Sequence, residues 1–112
     1  MAECLFCRVC RGEASADRVH EDAQAVVIRD INPAAPTHLL VLPRKHIASL
    51  ADLTPEDDAL MGHLQRTAFA VARAAGATDF RLVVNCGPAA GQSVFHVHLH
   101  VLAGRAFSWP PG

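Results

Sequence analysis

Residues 95–101 read Phe-His-Val-His-Leu-His-Val, which puts an imidazole at every second position. Successive side chains of an extended chain point to opposite faces. His96, His98 and His100 therefore share one face, about 6–7 Å apart along the strand, and Val97, Leu99 and Val101 share the other with Phe95. Three adjacent imidazoles cannot satisfy one another in a dry interior, so their face must meet something polar. Two chemistries fit. Alternating histidines can present ligands to a metal ion, or one imidazole can attack phosphorus while the others serve the phosphate's charge. The preceding CGPAAGQS segment favours the second. Its Gly87, Gly91 and Ser93 hydroxyl can bring backbone N–H groups and an O–H donor close to an anion.

Four cysteines add a second possible chemistry. Cys4-Leu5-Phe6-Cys7 is a C-x2-C pair, half of a tetrahedral zinc site. Cys10 extends the run, and Cys86 reads as a small buried side chain. His20 and His63 fall in polar or helix-surface settings and carry no assigned function.

These residues need a scaffold. Thr54-Pro55-Glu56-Asp57 opens a helix with a hydroxyl at the N-cap, Pro at the first position and acids at the positive end of the dipole. Leu60, Leu64, Ala68, Val71 and Ala75 form its apolar stripe and Gly76 stops it, predicting a helix over 55–75. Strands are expected over Ala25–Arg29, Thr37–Leu42, Phe80–Asn85 and Val94–Leu102, with a loop where DINPAAP carries two prolines. A short helix is expected over Leu5–Arg11. The order points to one α+β domain over 1–112, an antiparallel sheet with helices on one face.

Composition narrows the partners. The chain has 112 residues, 51% hydrophobic and 19% charged, which excludes a disordered chain. A net charge of −1 gives no field for a nucleic-acid polymer, so any phosphate bound is expected on a small molecule. No apolar run approaches a membrane span, and the charged N-terminus does not read as a signal peptide. A cytoplasmic protein with reduced thiols is expected.

His96-Val97-His98-Leu99-His100-Val101-Leu102 matches in full the His-φ-His-φ-His-φ-φ signature of the histidine triad (HIT) family, φ being hydrophobic. RDINPAAPTHLLVLPRKHI, RLVVNCGPAAGQSVFHVHLHVLAGR and SWPPG extend the likeness over nearly the whole chain and resemble the HINT branch. The resemblance implies a five-stranded antiparallel sheet with two helices, continued across a homodimer. It further implies hydrolysis of purine nucleoside 5'-phosphoramidates to AMP or GMP and an amine through a nucleotidyl-histidine. The alternatives are a nucleotide-binding regulator with little turnover and a dinucleoside polyphosphate hydrolase.

On that resemblance His98 is the nucleophile, and His100 donates to the phosphate oxygens. His38 supports the triad, and Ser93 stands by the leaving group with Asn85 as neighbour. Asp30 accepts from both ribose hydroxyls. Phe6, Val9, Ile28, Ile31 and Leu40 surround the base, with Gly91, Gln92 and Trp109 also in the nucleotide site. Ala14 stands where the animal-type pattern has an isoleucine, loosening the base pocket's edge. Related bacterial proteins complete the cysteine pair with two histidines, here His46 and His96. The resemblance thus implies one structural Zn²⁺ on Cys4, Cys7, His46 and His96, with no organic cofactor.

Overall fold

The computed structural model describes residues 4–112. Helix α1 (Leu5–Cys10) precedes strands β1 (Arg18–Glu21), β2 (Ala25–Arg29) and β3 (Thr37–Pro43). A 3-10 turn at Pro55–Asp57 leads into α2 (Asp58–Ala74), followed by β4 (Phe80–Val83) and β5 (Leu99–Ala103). The five strands form one antiparallel sheet in the order β1-β2-β3-β5-β4.

The two helices cover opposite faces of the sheet, which corrects the one-face expectation. Val27, Leu39, Val41, Leu99 and Val101 pack with Leu64, Ala68 and Val71 of α2. Val26, Ile28, Leu40 and Leu42 pack with Phe6, Val9 and Cys10 of α1. The reason is legible in β2 and β3, whose apolar residues run without alternation (AVVI, LLVL): such strands need cover on both faces.

Strand β1 carries no sequence signal, since RVHE has a single aliphatic residue. It is held by Asp22, which organises the turn after it. Asp22 Oδ1 accepts from the N–H groups of Gln24 and Ala25, and Oδ2 from His20 Nε2 at 2.8 Å and His63 Nε2 at 2.9 Å. The two histidines without an assigned function thus clasp the β1–β2 turn to α2.

The histidine strand also starts later than expected, at Leu99 instead of Val94. Antiparallel register sets Leu99 opposite Val41, so Val97 would face Pro43. Proline has no N–H to continue the ladder. Val97 N–H turns instead to the Ile47 carbonyl at 2.7 Å. Phe95, outside the ladder, is 46% exposed and does not join the aliphatic set. At the start of α2 the Asp57 carboxylate reaches back to Thr54 N–H at 3.0 Å and takes Lys45 Nζ at 2.6 Å; the first turn is 3-10 and α2 begins at Asp58. Ala75 is exposed at its end, and Gly76, with φ +88°, takes the left-handed turn that stops it.

Candidate active site and metal cluster

The face covered by α1 carries the site. Register places His100 of β5 opposite Leu40 of β3 and His38 opposite Leu102. His38 Nε2 lies 2.9 Å from His100 Nδ1 and 3.3 Å from Asp30 Oδ2. Hydrogen positions follow from the partners. The Ala34 N–H donates to His38 Nδ1 at 3.0 Å, so the His38 proton sits on Nε2. That proton points at His100 Nδ1, so the hydrogen of neutral His100 sits on Nε2. His98 Nδ1 is 2.7 Å from the His96 carbonyl and must donate to it, leaving the His98 Nε2 lone pair free. One imidazole thus offers a nucleophilic lone pair and its neighbour a donor, with ring centroids 5.0 Å apart.

His100 is strongly disposed to stay neutral. Burial, then the neighbouring His98 and His38, lower its pKa from 6.5 to about 4, against a smaller opposing pull from Asp30. The linkage has a definite sign: between pH 6.5 and 4 the unfolded chain binds a proton that folded His100 refuses, so stability rises with pH and is lost as pH is lowered through that window. We expect His100→Gln to flatten that acid-side loss. Denaturant midpoints from pH 7 to 4 measure it, and equal slopes in both proteins would refute it.

A cavity of about 360 Å³ opens beside these rings. His98, His100, Ser93 and Asp30 line it, with Phe6, Val9, Ile28 and Leu40 supplying apolar wall. Leu5, Ser15, Ala16, Arg29, Ile31 and Val94 complete its lining. Ser15 and Ala16 were missed by sequence reasoning because a loop after α1 has no periodicity to place it. Asp30 Oδ1 also accepts from Asn32 N–H at 2.8 Å, which orients the carboxylate.

Four residues expected at the nucleotide, Asn85, Gly91, Gln92 and Trp109, lie outside the cavity lining. Gln92 is buried, with Oε1 accepting from Gly87 N–H and Nε2 donating to the carbonyls of Ala48 and Val94. Its amide braces the glycine loop from within. Gly91, in a left-handed conformation at φ +98°, turns that loop with the Asn85 side chain beside it. Trp109 is 83% exposed. Cys86, expected buried, is exposed.

The second cluster joins α1 to the segment before β5. The ligand atoms of Cys4, Cys7, His46 and His96 all lie within 4.8 Å of one another. His96 Nδ1 stands 3.4 Å from Cys4 Sγ, 3.6 Å from Cys7 Sγ and 3.2 Å from His46 Nδ1, and Cys7 Sγ is 3.3 Å from His46 Nδ1. A tetrahedral zinc with ordinary bond lengths requires about 3.3 Å between nitrogens and about 3.6 Å between nitrogen and sulfur, so the spacing fits. His96 Nε2 donates to the Pro43 carbonyl at 2.7 Å, which turns the Nδ1 lone pair toward the cluster, an outer support typical of metal-binding histidines. Burial, then Cys4, push the Cys7 thiol up to about 11, so its thiolate needs a cation. Cys10 is buried with Sγ directed at the Pro43 carbonyl, outside the cluster.

Asp30, His38 and His100 also gather three donors within 4.8 Å. They do not suit a metal, because both ring nitrogens of His38 are committed: Nδ1 accepts from Ala34 and Nε2 carries the proton.

Comparison with known proteins finds relatives that span nearly the whole chain. Residues 3–108 match the family described as scavenger mRNA decapping enzyme C-terminal binding. An uncharacterized HIT-like protein of Synechocystis sp. is 50% identical over 96% of both chains. A HIT family hydrolase from Legionella pneumophila superposes with a TM-score of 0.95 at 45% identity, over 98% of this chain and 100% of that one. A Zn-bound histidine triad family protein from Mycobacterium smegmatis gives 0.79 at 36% identity, over 97% of this chain and 79% of that one.

Proposed function

We propose that this chain, which belongs to the histidine triad family of hydrolase-like proteins, hydrolyses purine nucleoside 5'-phosphoramidates to a nucleoside monophosphate and an amine. The observation that carries this reading is the pairing of a free lone pair on His98 Nε2 with an N–H on His100 Nε2 at one cavity that also holds Asp30.

His98 Nε2 forms a bond to the α-phosphorus as the P–N bond breaks, and the amine departs with a proton. Water then attacks the phosphorus, the P–Nε2 bond breaks, and the nucleotide leaves with His98 neutral again. His100 Nε2–H stabilises charge on the phosphate oxygens. The apolar wall takes the base, and the two oxygens of Asp30 suit a pair of ribose hydroxyls. Incubation with an adenosine phosphoramidate should release AMP. AMP binding without turnover would leave a nucleotide-binding regulator, and faster cleavage of dinucleoside polyphosphates would move the substrate class.

Ser93 lines the cavity with His98, and we assign its hydroxyl to the departing amine. Ser93→Ala is expected to slow poor leaving groups by about 10²-fold and good ones far less, since help with proton transfer matters most for a basic amine. A flat response across a leaving-group series would remove Ser93 from that role.

We assign Cys4, Cys7, His46 and His96 to one structural Zn²⁺, supported by the ligand spacing and by the His96 bond to Pro43. When bound, the ion would tie α1 to the histidine segment, with four protein ligands and no open position for substrate. We also propose a homodimer. The sheet has a free outer edge along β4, and pairing such edges hides their N–H and C=O groups. Sedimentation as a monomer at micromolar concentration would contradict it.

A further inference from the structure

The segment Cys4-Leu5-Phe6-Cys7 serves both the ligand cluster and the catalytic cavity. Its two thiols belong to the cluster, and Phe6 between them is buried in the cavity wall. The Phe6 ring stands edge-on to His98, with centroids 5.1 Å apart and planes at 81°, and meets His96 at 6.0 Å and 84°. His96 closes the circuit. Its Nδ1 faces the two thiols, and its carbonyl takes the His98 Nδ1–H at 2.7 Å. The His98 ring therefore has two supports, a hydrogen bond that sets its tautomer and an aromatic wall that sets its plane. Both are anchored in the same four-residue cluster.

We infer that Phe6 is a positioning residue for His98, and that metal held by Cys4, Cys7, His46 and His96 sets the alignment of that imidazole. The inference rests on the reading of His98 as nucleophile and goes beyond it: the ion influences chemistry without touching substrate. The six residues of α1 are too few to be stable as an isolated helix. Its seat depends on the core contacts of Phe6 and Val9 and on whatever holds the two thiols. Without an ion the thiols lose their anchor, Phe6 shifts from the His98 ring, and the His96 carbonyl becomes a looser acceptor. Misplacing a reacting atom by about 1 Å is enough to slow a reaction about a hundredfold.

The test compares zinc-loaded wild type, chelator-stripped wild type and zinc-loaded Phe6→Leu, a change that keeps the wall apolar. Three quantities are read: the ring ¹⁵N shifts of His98, the Kd for AMP, and the single-turnover rate of His98 nucleotidylation by an adenosine phosphoramidate. Loaded wild type should show His98 in the Nδ1–H tautomer alone. Stripped protein and Phe6→Leu should show averaged tautomers and nucleotidylation slower by at least about tenfold, a larger factor than any loss of AMP affinity. A stripped protein that keeps both tautomer and rate overturns the role of the ion. Phe6→Leu with unchanged shifts and rate overturns the role of Phe6. Rate and affinity falling together also overturns the inference, since a general structural loss does that. If no form is nucleotidylated yet the tautomers respond as expected, the hydrolase reading fails and the positioning stands.

Discussion

Replacing His98 with alanine is expected to reduce phosphoramidate turnover by about a thousandfold or more, which is about 4 kcal/mol of transition-state stabilisation, while AMP still binds. The two effects separate because different parts of the cavity carry them. Affinity comes from the wall of Phe6, Val9, Ile28 and Leu40 and from the Asp30 carboxylate, none of which the substitution removes. Chemistry needs the His98 Nε2 lone pair, which the His96 carbonyl holds free by engaging the other nitrogen. His100 cannot take over. Its Nδ1 accepts from His38, so its Nε2 presents a hydrogen to the phosphate instead of a lone pair. Initial rates and AMP titration on the same preparation decide the matter, and a mutant with more than about a tenth of wild-type turnover would exclude a nucleophilic His98.

Purified protein should carry about one zinc per chain, and Cys4→Ser with Cys7→Ser should abolish it. When free ion exceeds the dissociation constant a thousandfold, a metal bound only by the folded state adds about 4 kcal/mol. For a domain of this size that corresponds to a fall in Tm of roughly 10–20 °C on stripping. Elemental analysis and thermal melts measure both effects. Less than about a tenth of an equivalent in wild type would refute the site, given how tightly such sets bind. Zinc that survives the double cysteine substitution but vanishes with His98→Ala would instead place metal among the catalytic imidazoles.

Much of the architecture was legible because the patterns are local. The AVVI and LLVL runs gave two central strands, and Gly76 marked the end of the long helix. Strand β1 was not legible, because its stability comes from the Asp22 clasp, a tertiary arrangement involving His63 about forty residues away. The late start of β5 was hidden in Pro43, whose effect needs the register to be known. The alternation of the three histidines gave their common direction, and only the resemblance to the histidine triad family set His96 with the cysteines and apart from His98 and His100. His96 is fully buried in the cysteine cluster, whereas His98 and His100 line the cavity. Nothing in HVHLH says which imidazole leaves the group, and the distant Cys4-x2-Cys7 gains meaning only once folding brings it there. The bracing role of Gln92 and the exposure of Trp109 were equally invisible, since each depends on contacts made or lacking far along the chain.

The orientation of the His38–His100 pair starts at the main chain of Ala34, whose exposed methyl group plays no part in it. Position 34 therefore has an unusual tolerance: most residue types can stand there as long as each brings a peptide N–H. Proline alone is barred. With no hydrogen to give, it would let the His38 proton move to Nδ1 and reverse the pair, turning a lone pair of His100 toward the anion it should bind. Prolines already occupy positions 33 and 36 of this loop, so one further substitution between them would change the polarity of the site without altering any catalytic residue.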